Sequence, residues 1–392
     1  MTEHSTRAVV IGGGYAGALA ANHLRQRDDV DITLVNTRRS FVERIRLHQL
    51  ASGTGSATVD YATLLGDGIE LVVDGAIHID AAARRVTLAS GTSLDYDYLI
   101  YAVGSTGAAL TVPGAAEFAY PIADLEHAER LHDELDELHP SAPLCVVGAG
   151  PTGIEAAAEF AEQGRSVTLV CGGVLGPYLS GPGRRSVARQ LARLRVTVLD
   201  GPDATVTGVR KDAVVLADGR ELPSALTVWA AGFGVPDLAA RSGLSTDAMG
   251  RLLTDETLTS VDSPRIVAAG DAAAPSGQPL RMSCQAAVPL GAQAANTVLS
   301  RIAGSEPAVL SQAFVDQCVS LGRKGGTIQL ARFDDTAVPI HVGGRAAALI
   351  KEAVCKGTVS VLAKEARKPG SYFWLKGGNR ADRAAATSNA VS

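Results

Sequence analysis

Ala8-Val9-Val10-Ile11-Gly12-Gly13-Gly14-Tyr15-Ala16-Gly17 is the stretch that decides the fold of this chain. Its first half is a short run of mostly β-branched apolar residues, which is typical of a buried strand. Its second half has the spacing Gly12-x-Gly14-x-x-Gly17, and residues 18–27 behind it predict a helix. This strand–turn–helix order is typical of a dinucleotide-binding turn, because the helix N-terminus offers free N–H groups and a partial positive charge to an anion.

Each glycine has its own physical role in such a turn. Gly12 permits the tight turn, Gly14 lets the backbone approach a pyrophosphate, and Gly17 lets the helix pack closely on the strand. The alternative is a glycine turn in an ordinary βα unit. The strand–helix context favours nucleotide binding, and so does the recurrence of the motif later in the chain.

The same arrangement occurs again behind a linker of proline and small residues at 139–143. Leu144–Val147 predicts a strand, the spacing Gly148-x-Gly150-x-x-Gly153 follows, and 154–163 predicts a helix. Two such units in one chain indicate two nucleotide-binding domains. The sequence therefore predicts an α/β fold with two Rossmann-like domains, each a three-layer arrangement around a parallel sheet, with an antiparallel β ribbon and a small α+β C-terminal region.

Further elements complete this prediction. Short strands of an antiparallel ribbon are predicted at 69–73, 76–80 and 85–88, buried strands within 96–105 and 265–271, and helices at 125–138, 283–303 and 344–356. The predicted domain boundaries are 1–113 with 254–305 for a discontinuous first domain, 114–253 for the second domain, and 306–392 for the C-terminal region.

Composition limits the classes of function. The net charge of −5 argues against a nucleic-acid binder, and no apolar run is long enough to span a bilayer. The first predicted strand begins at about Arg7, which leaves no room for a signal peptide and predicts a cytoplasmic protein. From 341 to 392, nine Lys/Arg residues stand against three Asp/Glu residues. An acidic body with a basic end indicates an acidic partner or an anionic surface.

The five cysteines, Cys145, Cys171, Cys284, Cys318 and Cys355, show no CxxC or CxxxxC spacing. The absence of both spacings excludes a local redox disulfide and a cysteine zinc site. We expect buried, unpaired thiols and no metal site.

Three basic side chains alternate with apolar ones in the segment 40–49, namely Arg44, Arg46 and His48. One interpretation is a solvated amphipathic segment. The other is a stretch that lies along a cofactor ring or an anionic substrate.

Four motifs in fixed order, Gly12–Gly17, Tyr98–Ser105, Gly148–Glu155 and Ile266–Asp271, resemble the flavoproteins of the pyridine nucleotide-disulfide oxidoreductase superfamily. The resemblance covers about residues 7–305. Within the superfamily the chain is most similar to the branch of the type II NADH dehydrogenases and apoptosis-inducing factors. This resemblance implies FAD in the first domain and NADH or NADPH in the second.

The resemblance also assigns expected roles. Asp271 would accept a hydrogen bond from the ribityl chain, and the helix that starts near 285–288 would aim its N-terminus at the flavin. Glu155 would reach the flavin where nicotinamide stacks, or it would be a plain acid in the first turn of its helix. The candidate FAD-binding residues are Gly12, Gly14, Tyr15, Ala16, Gly17, Asn36, Arg44, Ala102, Val103, Gly104, Gly270, Asp271, Ala287 and Val288. The candidate NAD(P)H-binding residues are Gly148, Gly150, Pro151, Thr152, Gly153 and Glu155, and the candidate catalytic residues are Glu155, Arg46 and His48.

Some positions depart from the family pattern. Asn36 stands where an acid usually binds ribose hydroxyls, and Cys171-Gly172-Gly173 follows the second strand of the second unit, which leaves NADH and NADPH both open. The CxxxxC of the disulfide reductases is absent, so electrons should leave the flavin directly. Pro289 stands where type II NADH dehydrogenases carry a quinone-site glutamine; proline offers no donor but is tolerated in a first helical turn.

The sequence thus predicts an FAD-dependent NAD(P)H oxidoreductase that passes hydride to flavin and electrons to a quinone-like or other small acceptor. A reductase of a small iron–sulfur protein, a tailoring oxidoreductase and a non-catalytic NADH-sensing flavoprotein are the alternatives. In the C-terminal region, apolar Leu349, Ile350, Val354, Val359, Val361 and Leu362 interleave with lysines. That pattern suits a helix on the inner face of a membrane, or a cap on the flavin site or a homodimer surface.

Overall fold

The computed structural model describes residues 5–377 and residue 380. Within them, the α-helices are α1 (Tyr15–Leu24), α2 (Leu47–Ala51), α3 (Ala115–Phe118), α4 (Leu125–Glu137), α5 (Pro151–Glu162), α6 (Gly181–Arg193), α7 (Leu238–Arg241), α8 (Cys284–Ile302) and α9 (Gly344–Arg367). Short 3-10 helices span Arg44–Arg46, Tyr61–Thr63, Pro202–Ala204 and Gly270–Ala272. The polar, Ala-rich end of the chain, for which the sequence predicts fraying, lies largely outside the described residues.

The strands, in chain order, are β1 (Thr6–Ile11), β2 (Val30–Asn36), β3 (Ser40–Val42), β4 (Thr58–Asp60), β5 (Ile69–Val73), β6 (Ala76–Asp80), β7 (Arg85–Leu88), β8 (Ser93–Asp95), β9 (Tyr98–Tyr101), β10 (Thr106–Gly107), β11 (Ala119–Pro121), β12 (Pro143–Val147), β13 (Ser166–Val170), β14 (Thr197–Leu199), β15 (Val206–Val209), β16 (Ala213–Leu216), β17 (Glu221–Pro223), β18 (Leu226–Trp229), β19 (Phe233–Gly234), β20 (Leu252–Thr254), β21 (Ile266–Ala268), β22 (Ala273–Pro275), β23 (Asp316–Ser320), β24 (Gly326–Ala331) and β25 (Ala337–Gly343).

The first parallel sheet has the strand order β21-β9-β1-β2-β5. In β1 the inner residues Ala8–Ile11 are all buried, as expected for a parallel strand covered on both faces. Val10 lies opposite Leu34 of β2 and Ile100 of β9 in parallel register. Since parallel strands end at the same edge, the turns after β1, β9 and β21 lie side by side.

The second parallel sheet has the order β11-β18-β12-β13-β14, and its middle strand β12 again carries a glycine-rich turn. Cys145 lies opposite Thr168 of β13 and Thr227 of β18. The antiparallel ribbon is β6-β7-β8, of which β6 and β7 are predicted from the sequence. The placement of 69–73 in this ribbon was wrong, because β5 pairs in parallel with β2 at the edge of the first sheet. A second ribbon, β15-β16-β17, was not predicted. The two parallel sheets and the ribbons confirm the predicted α/β fold class.

Helices α8 and α9 cover α1, and every residue of α1 is buried. Close packing requires small residues here: a Cβ atom on Gly291 of α8 would collide with the Ala16 carbonyl. The predicted start of α1 at residue 18 was wrong, because the helix begins at Tyr15, and α5 begins at Pro151 rather than 154. The N–H groups of a first turn have no intrahelical partner, so proline is accommodated there.

The C-terminal region is the antiparallel sheet β23-β24-β25 followed by α9, which is 24 residues long and extends well beyond the predicted end at 356. Its second half packs against α1, where Leu362 is fully buried. His23 of α1 contacts Glu365 of α9 at 2.6 Å between Nδ1 and Oε1, and Glu365 accepts a bond from the Tyr372 N–H at 2.8 Å. These contacts attach α9 to α1, the helix that follows the central strand of the first sheet.

Candidate functional site

The turn after β1 has the shape of a pyrophosphate cradle. Gly12 has a φ of +98°, and a Cβ atom there would collide with the Ala102 carbonyl. A Cβ atom on Gly17 would collide with the Gly12 carbonyl, whereas one on Gly14 would meet no described atom within 4 Å. The free space therefore lies at Gly14, where the family binds phosphate, and the residues fit FAD.

The N-terminus of α1 opens into this space. Gly14 is the N-cap residue, and among the described residues no side chain caps the helix and no acid lies in its first turn. The first N–H groups and the positive end of the helix dipole are thus available to an anion.

The loop itself is held by two side chains. The Gly13 N–H donates to Asn36 Oδ1 at 3.0 Å, and the Tyr61 hydroxyl donates to the Gly13 carbonyl at 2.7 Å. Asn36 Nδ2 in turn donates to the Arg38 carbonyl at 2.8 Å. Asn36 therefore shapes the turn with both ends of its amide, and its contact with a ribose stays a prediction.

Arg44 connects three segments of the first cradle. Its Nη1 atom donates to the Ser105 carbonyl at 2.8 Å and to Ser105 Oγ at 2.7 Å, and its Nη2 atom donates to the Ala123 carbonyl at 2.9 Å. Ser105 Oγ donates to Asp271 Oδ2 at 2.7 Å. Burial raises the pKa of Asp271, while Ser105 and Arg44 act in the opposite direction. These bonds join Arg44 to the segments that follow β9 and β21. Together they form one polar wall, which lies beside Val103, Gly104 and Gly270.

Helix α8 starts beside Asp271. Ser283 caps it by accepting a bond from the Ala286 N–H at 3.3 Å, and Ala287 and Val288 are buried in its first turns. The placement of Pro289 in the first turn was wrong, because it is the sixth residue of the helix. Proline lacks the N–H that would bond to the Gln285 carbonyl, and Gln312 Nε2 donates to that carbonyl at 3.0 Å instead.

The turn after β12 repeats the first cradle. Gly148 has a φ of +133°, a Cβ atom on Gly153 would collide with the Gly148 carbonyl, and one on Gly150 would meet no described atom within 4 Å. Gly150 is the N-cap residue of α5, with Pro151 as its first residue and Thr152 half-buried behind it. This cradle also fits a pyrophosphate.

Glu155 lies at the junction of the two halves. The assignment of Glu155 to the first helical turn was wrong, because it is the fifth residue of α5. Its Oε1 atom accepts a bond from the Ser320 N–H at 2.9 Å and lies 3.2 Å from Lys351 Nζ. His48 Nδ1 lies 3.7 Å from its other oxygen. Glu155, on α5, thus meets the end of β23, helix α9 of the C-terminal region and α2.

Lys351 and His48 carry different charges at neutral pH. Burial acts to lower the pKa of Lys351, but Glu155 and the nearby thiols raise it, so the ammonium stays charged. Burial lowers the pKa of His48 to about 4, against which Glu155 acts only partly. His48 is therefore neutral, and its contact with Glu155 is not an ion pair. The ion pair of this centre is Glu155–Lys351.

This centre adjoins the first cradle through Cys284, the first residue of α8. Cys284 lies close enough to affect the pKa of both Lys351 and Tyr15, and Tyr15 begins α1. Burial raises the pKa of Cys284, so its thiol is protonated. Glu155 lies on α5, the helix of the second cradle, and Lys351 lies on α9, whose second half packs against α1, the helix of the first cradle.

Arg46 is buried, not solvated. It donates to Glu352 of α9 through two bonds of 3.1 and 3.2 Å, to Gln49 at 2.9 Å and to Glu43 at 3.2 Å. The interpretation of 40–49 as a solvated amphipathic segment was wrong. Arg46 holds α9 against α2, and a catalytic role for it stays a prediction.

A cleft of about 290 Å³ lies between α9 and the segment 320–325. Lys351 and Ser320, both partners of Glu155, line its inner part. Its charged lining residues are Arg323, Lys324, Arg345, Lys351 and Glu352, and its apolar lining includes Ala348 and Leu349. The cleft thus leads from the surface to the Glu155–Lys351 pair.

The five cysteines are free thiols, as their spacing predicts. Burial raises the pKa of Cys355 to about 11 and that of Cys145 to about 12. Within residues 5–377 and 380, no group of three His, Cys, Asp or Glu side chains could hold a metal ion.

The sequence of the chain matches the model of one protein family, pyridine nucleotide-disulphide oxidoreductase, over residues 6–291. The chain belongs to that family. It is 32% identical over 324 residues to an NADH dehydrogenase-like protein of Mycobacterium tuberculosis, which covers 75% of this chain and 80% of that protein. It is 29% identical over 348 residues to the type II NADH:quinone oxidoreductase of the same organism, which covers 77% of this chain and 74% of that protein.

Among solved structures, the sulfide:quinone oxidoreductase of Aquifex aeolicus has the same fold, with a TM-score of 0.80 at 23% identity over 93% of both chains. The family and these relatives make the chain a flavin-dependent NAD(P)H oxidoreductase of the NADH dehydrogenase-like type. The resemblance predicted from the four motifs is confirmed. No helix in the described part of the chain is long and apolar enough to cross a membrane.

Sequence reasoning missed several residues of this site: Tyr61, Ser105, Ser320 and Lys351. Each acts on a partner far away in the chain, since Tyr61 bonds to Gly13 and Lys351 pairs with Glu155. Local patterns carry no signal for such pairs. The sequence pattern around Lys351 favours a lipid-facing surface, because apolar residues surround it in α9.

Proposed function

We propose that the first cradle holds FAD, that the second holds NADH or NADPH, and that Glu155 lies where the two meet. Gly12, Gly14 and Gly17 would hold the FAD pyrophosphate, with Arg44, Ser105 and Asp271 as the polar wall beside it. Bound FAD supplies an acceptor for the hydride of nicotinamide. The protein supplies position and electrostatics.

The observation that carries this proposal is the position of the Glu155–Lys351 pair. Glu155 lies on the helix of the second cradle, and Lys351 lies on α9, which packs against the helix of the first cradle. A buried carboxylate and ammonium 3.2 Å apart can hold or release a proton between two sites of redox chemistry.

We further propose a quinone-like molecule as the electron acceptor, entering by the cleft between α9 and 320–325. Two related proteins with solved structure or curated function carry quinone in their names. The cleft supports the same class, because apolar Ala348 and Leu349 line it together with cations that would stabilise a developing oxyanion. Pro289 offers no side-chain hydrogen bond to an acceptor, which leaves that role to Lys351.

The test uses the purified, full-length protein. It should be yellow, hold one FAD per chain and bleach when NADH or NADPH is added without air. A menaquinone analogue should then restore the colour faster than a ferredoxin does. A colourless protein that cannot be reconstituted with FAD would overturn the proposal, and faster reoxidation by ferredoxin would overturn the acceptor alone.

We also propose that the first half of α9 contacts a membrane surface beside the cleft. Leu349 is 74% exposed, Ile350 and Val354 are exposed as well, and the exposed Arg345 and Lys356 precede and follow them in α9. Apolar residues with a cationic rim suit an anionic bilayer. The predicted apolar surface was wrong in its second half, because Val359, Val361 and Leu362 pack against α1.

Flotation with vesicles of anionic lipid tests this contact. The protein should float, and Leu349→Ser with Ile350→Ser should reduce the bound fraction several-fold while the flavin stays bound. The variant Val261→Ser, at another exposed apolar residue, is the control. Equal flotation of the double variant, or its self-association by light scattering with no lipid dependence, would remove the membrane contact.

A further inference from the structure

Two rows of polar side chains face each other between α2 and α5. On α2, His48 is followed one turn later by Ser52, and on α5, Glu155 is followed one turn later by Glu159. Ser52 Oγ lies 2.9 Å from Thr54 Oγ1, which donates to Glu159 Oε1 at 2.5 Å. A continuous set of hydrogen-bonding groups thus lies beside the Glu155 centre.

The outer end of this set reaches water. Ser52 lines a second cleft of about 180 Å³, together with Asp136, Gln163 and Arg165. Gln163 Nε2 donates to the Ser52 carbonyl at 2.5 Å and fixes this end of the set. The cleft has a polar lining, which is the condition for water to enter.

The inner end of the set carries two unsatisfied atoms. Glu159 Oε2 and His48 Nε2 are buried and have no hydrogen-bond partner among the described residues. Buried polar atoms without partners are destabilising and rare, so these two need an explanation. Glu155 and Glu159 are one helical turn apart, a span that a rotation of the Glu159 carboxyl or one water molecule covers.

We propose that Ser52, Thr54 and Glu159 form a proton path from the second cleft to Glu155 of the Glu155–Lys351 pair. This inference rests on the proposed function, because reduction of a quinone by NADH consumes one proton: NADH + H⁺ + Q gives NAD⁺ + QH₂. With the quinone in the first cleft, that proton needs a second route from water to the buried pair. Each hydroxyl takes a proton on its outer side and releases its own on the inner side. The Glu159 carboxylate takes up that proton, becomes a neutral acid, and passes it to Glu155.

The surroundings of Glu159 suit this task. Burial raises its pKa, and Glu162 and Glu155 on its own helix raise it further. Thr54, from the segment after α2, and Arg323, from the segment after β23, lower it. A carboxyl group with a raised pKa releases and takes up protons closer to neutral pH than an exposed one does.

The test is Glu159→Gln, which keeps the size of the side chain and removes the proton site. Reoxidation of the reduced flavin by a quinone should slow at least tenfold, and its rate should depend more steeply on pH. Reduction by NADH and electron transfer to ferricyanide, which takes electrons without protons, should stay within twofold. Thr54→Val should act in the same direction, and Glu137→Gln, exposed at the end of α4, is the control.

Infrared difference spectra provide a readout that does not depend on turnover. On reduction by dithionite, the parent protein should show a band of a protonated carboxyl group that Glu159→Gln lacks. An unchanged band, or equal slowing with quinone and with ferricyanide, would overturn the path. A parent protein that NADH does not bleach would overturn the proposed function, whereas the dithionite spectra would still decide whether Glu159 takes up a proton.

Discussion

The two glycine cradles have the same spacing but different surroundings. In the first, α1 is buried along its whole length under α8 and α9, and Asn36 and Tyr61 hold the Gly13 loop. In the second, α5 begins with the exposed Pro151, and Cys171 follows the second strand. A closed, clamped cradle suits a cofactor that stays bound, and an open one suits a nucleotide that must leave after each turnover.

The largest effect should come from adding one methyl group to each cradle. In Gly17→Ala the new Cβ atom collides with the Gly12 carbonyl, and in Gly153→Ala it collides with the Gly148 carbonyl. If the cradles differ in role, Gly17→Ala should lose FAD and colour. Gly153→Ala should stay yellow but bleach with NADH only at concentrations at least tenfold higher.

Absorbance spectra and NADH titrations measure both effects. Gly357→Ala, inside α9, where an added Cβ atom meets no described atom within 4 Å, is the control for the added methyl group alone. Loss of FAD from Gly153→Ala, with Gly17→Ala still yellow, would reverse the assignment of the cradles.

His48, at the junction between the two regions, should make the free energy of unfolding depend on pH. The pKa of His48 is about 4 in the folded protein, against an unfolded value of about 6.5. The unfolded chain therefore binds this proton more tightly, and stability should fall as the pH drops from about 6.5 to about 4. His48→Gln should remove about 3 kcal/mol of that loss.

Denaturant unfolding of parent and variant across this pH range gives the difference directly, because carboxylates elsewhere titrate equally in both. Identical pH slopes would mean that His48 is not held neutral beside Glu155.

A smaller effect is expected from removing the charge of Glu155, which pairs with Lys351. Glu155→Gln retains an oxygen for the Ser320 N–H but leaves Lys351 without its carboxylate. Loss of a positioned acid–base group costs about 100-fold in rate. We expect kcat/KM for the quinone to fall by about that factor while FAD content stays unchanged. Steady-state assays check this, and a rate within twofold of the parent would exclude Glu155 from catalysis.

The smallest predicted effect concerns the preference of the second cradle for NADH or NADPH. An acid at the end of the second strand favours the ribose hydroxyls of NADH, and a basic residue there favours the 2′-phosphate of NADPH. Cys171→Asp should shift the NADH/NADPH ratio of kcat/KM about tenfold towards NADH, and Cys171→Arg should shift it towards NADPH. Unchanged ratios in both variants would place the ribose away from residue 171.

The sequence predicted what local patterns determine. Strands β5, β6 and β7 have the predicted bounds, because short apolar runs between turn residues define them. Their grouping in one ribbon was not correct for β5, since pairing with β2 depends on a contact that is distant in the chain. The glycine cradles followed from their spacing and strand–helix context, and the family followed from the resemblance of four motifs in fixed order. The Glu155–Lys351 pair did not, because it joins residues 196 positions apart, in α5 and α9, and only folding brings them together.

The partly wrong surface on α9 has a related cause. Its apolar residues continue along the whole helix, and periodicity alone does not tell which turns meet α1 and which meet solvent. His23 of α1 bonds to Glu365 of α9 through one ring nitrogen and to Asn296 of α8 through the other. These contacts hold the second half of α9 against α1 and α8, whereas apolar residues of the first half are exposed.

The central claim is that the two cradles bring nicotinamide and flavin together at Glu155. Its most direct test is the absorbance spectrum of the anaerobically reduced protein during titration with NAD⁺ or NADP⁺. Stacking of the two rings predicts a long-wavelength charge-transfer band that saturates with the nucleotide and is lost in Gly153→Ala. A reduced, FAD-loaded protein that binds nucleotide without such a band would contradict the account.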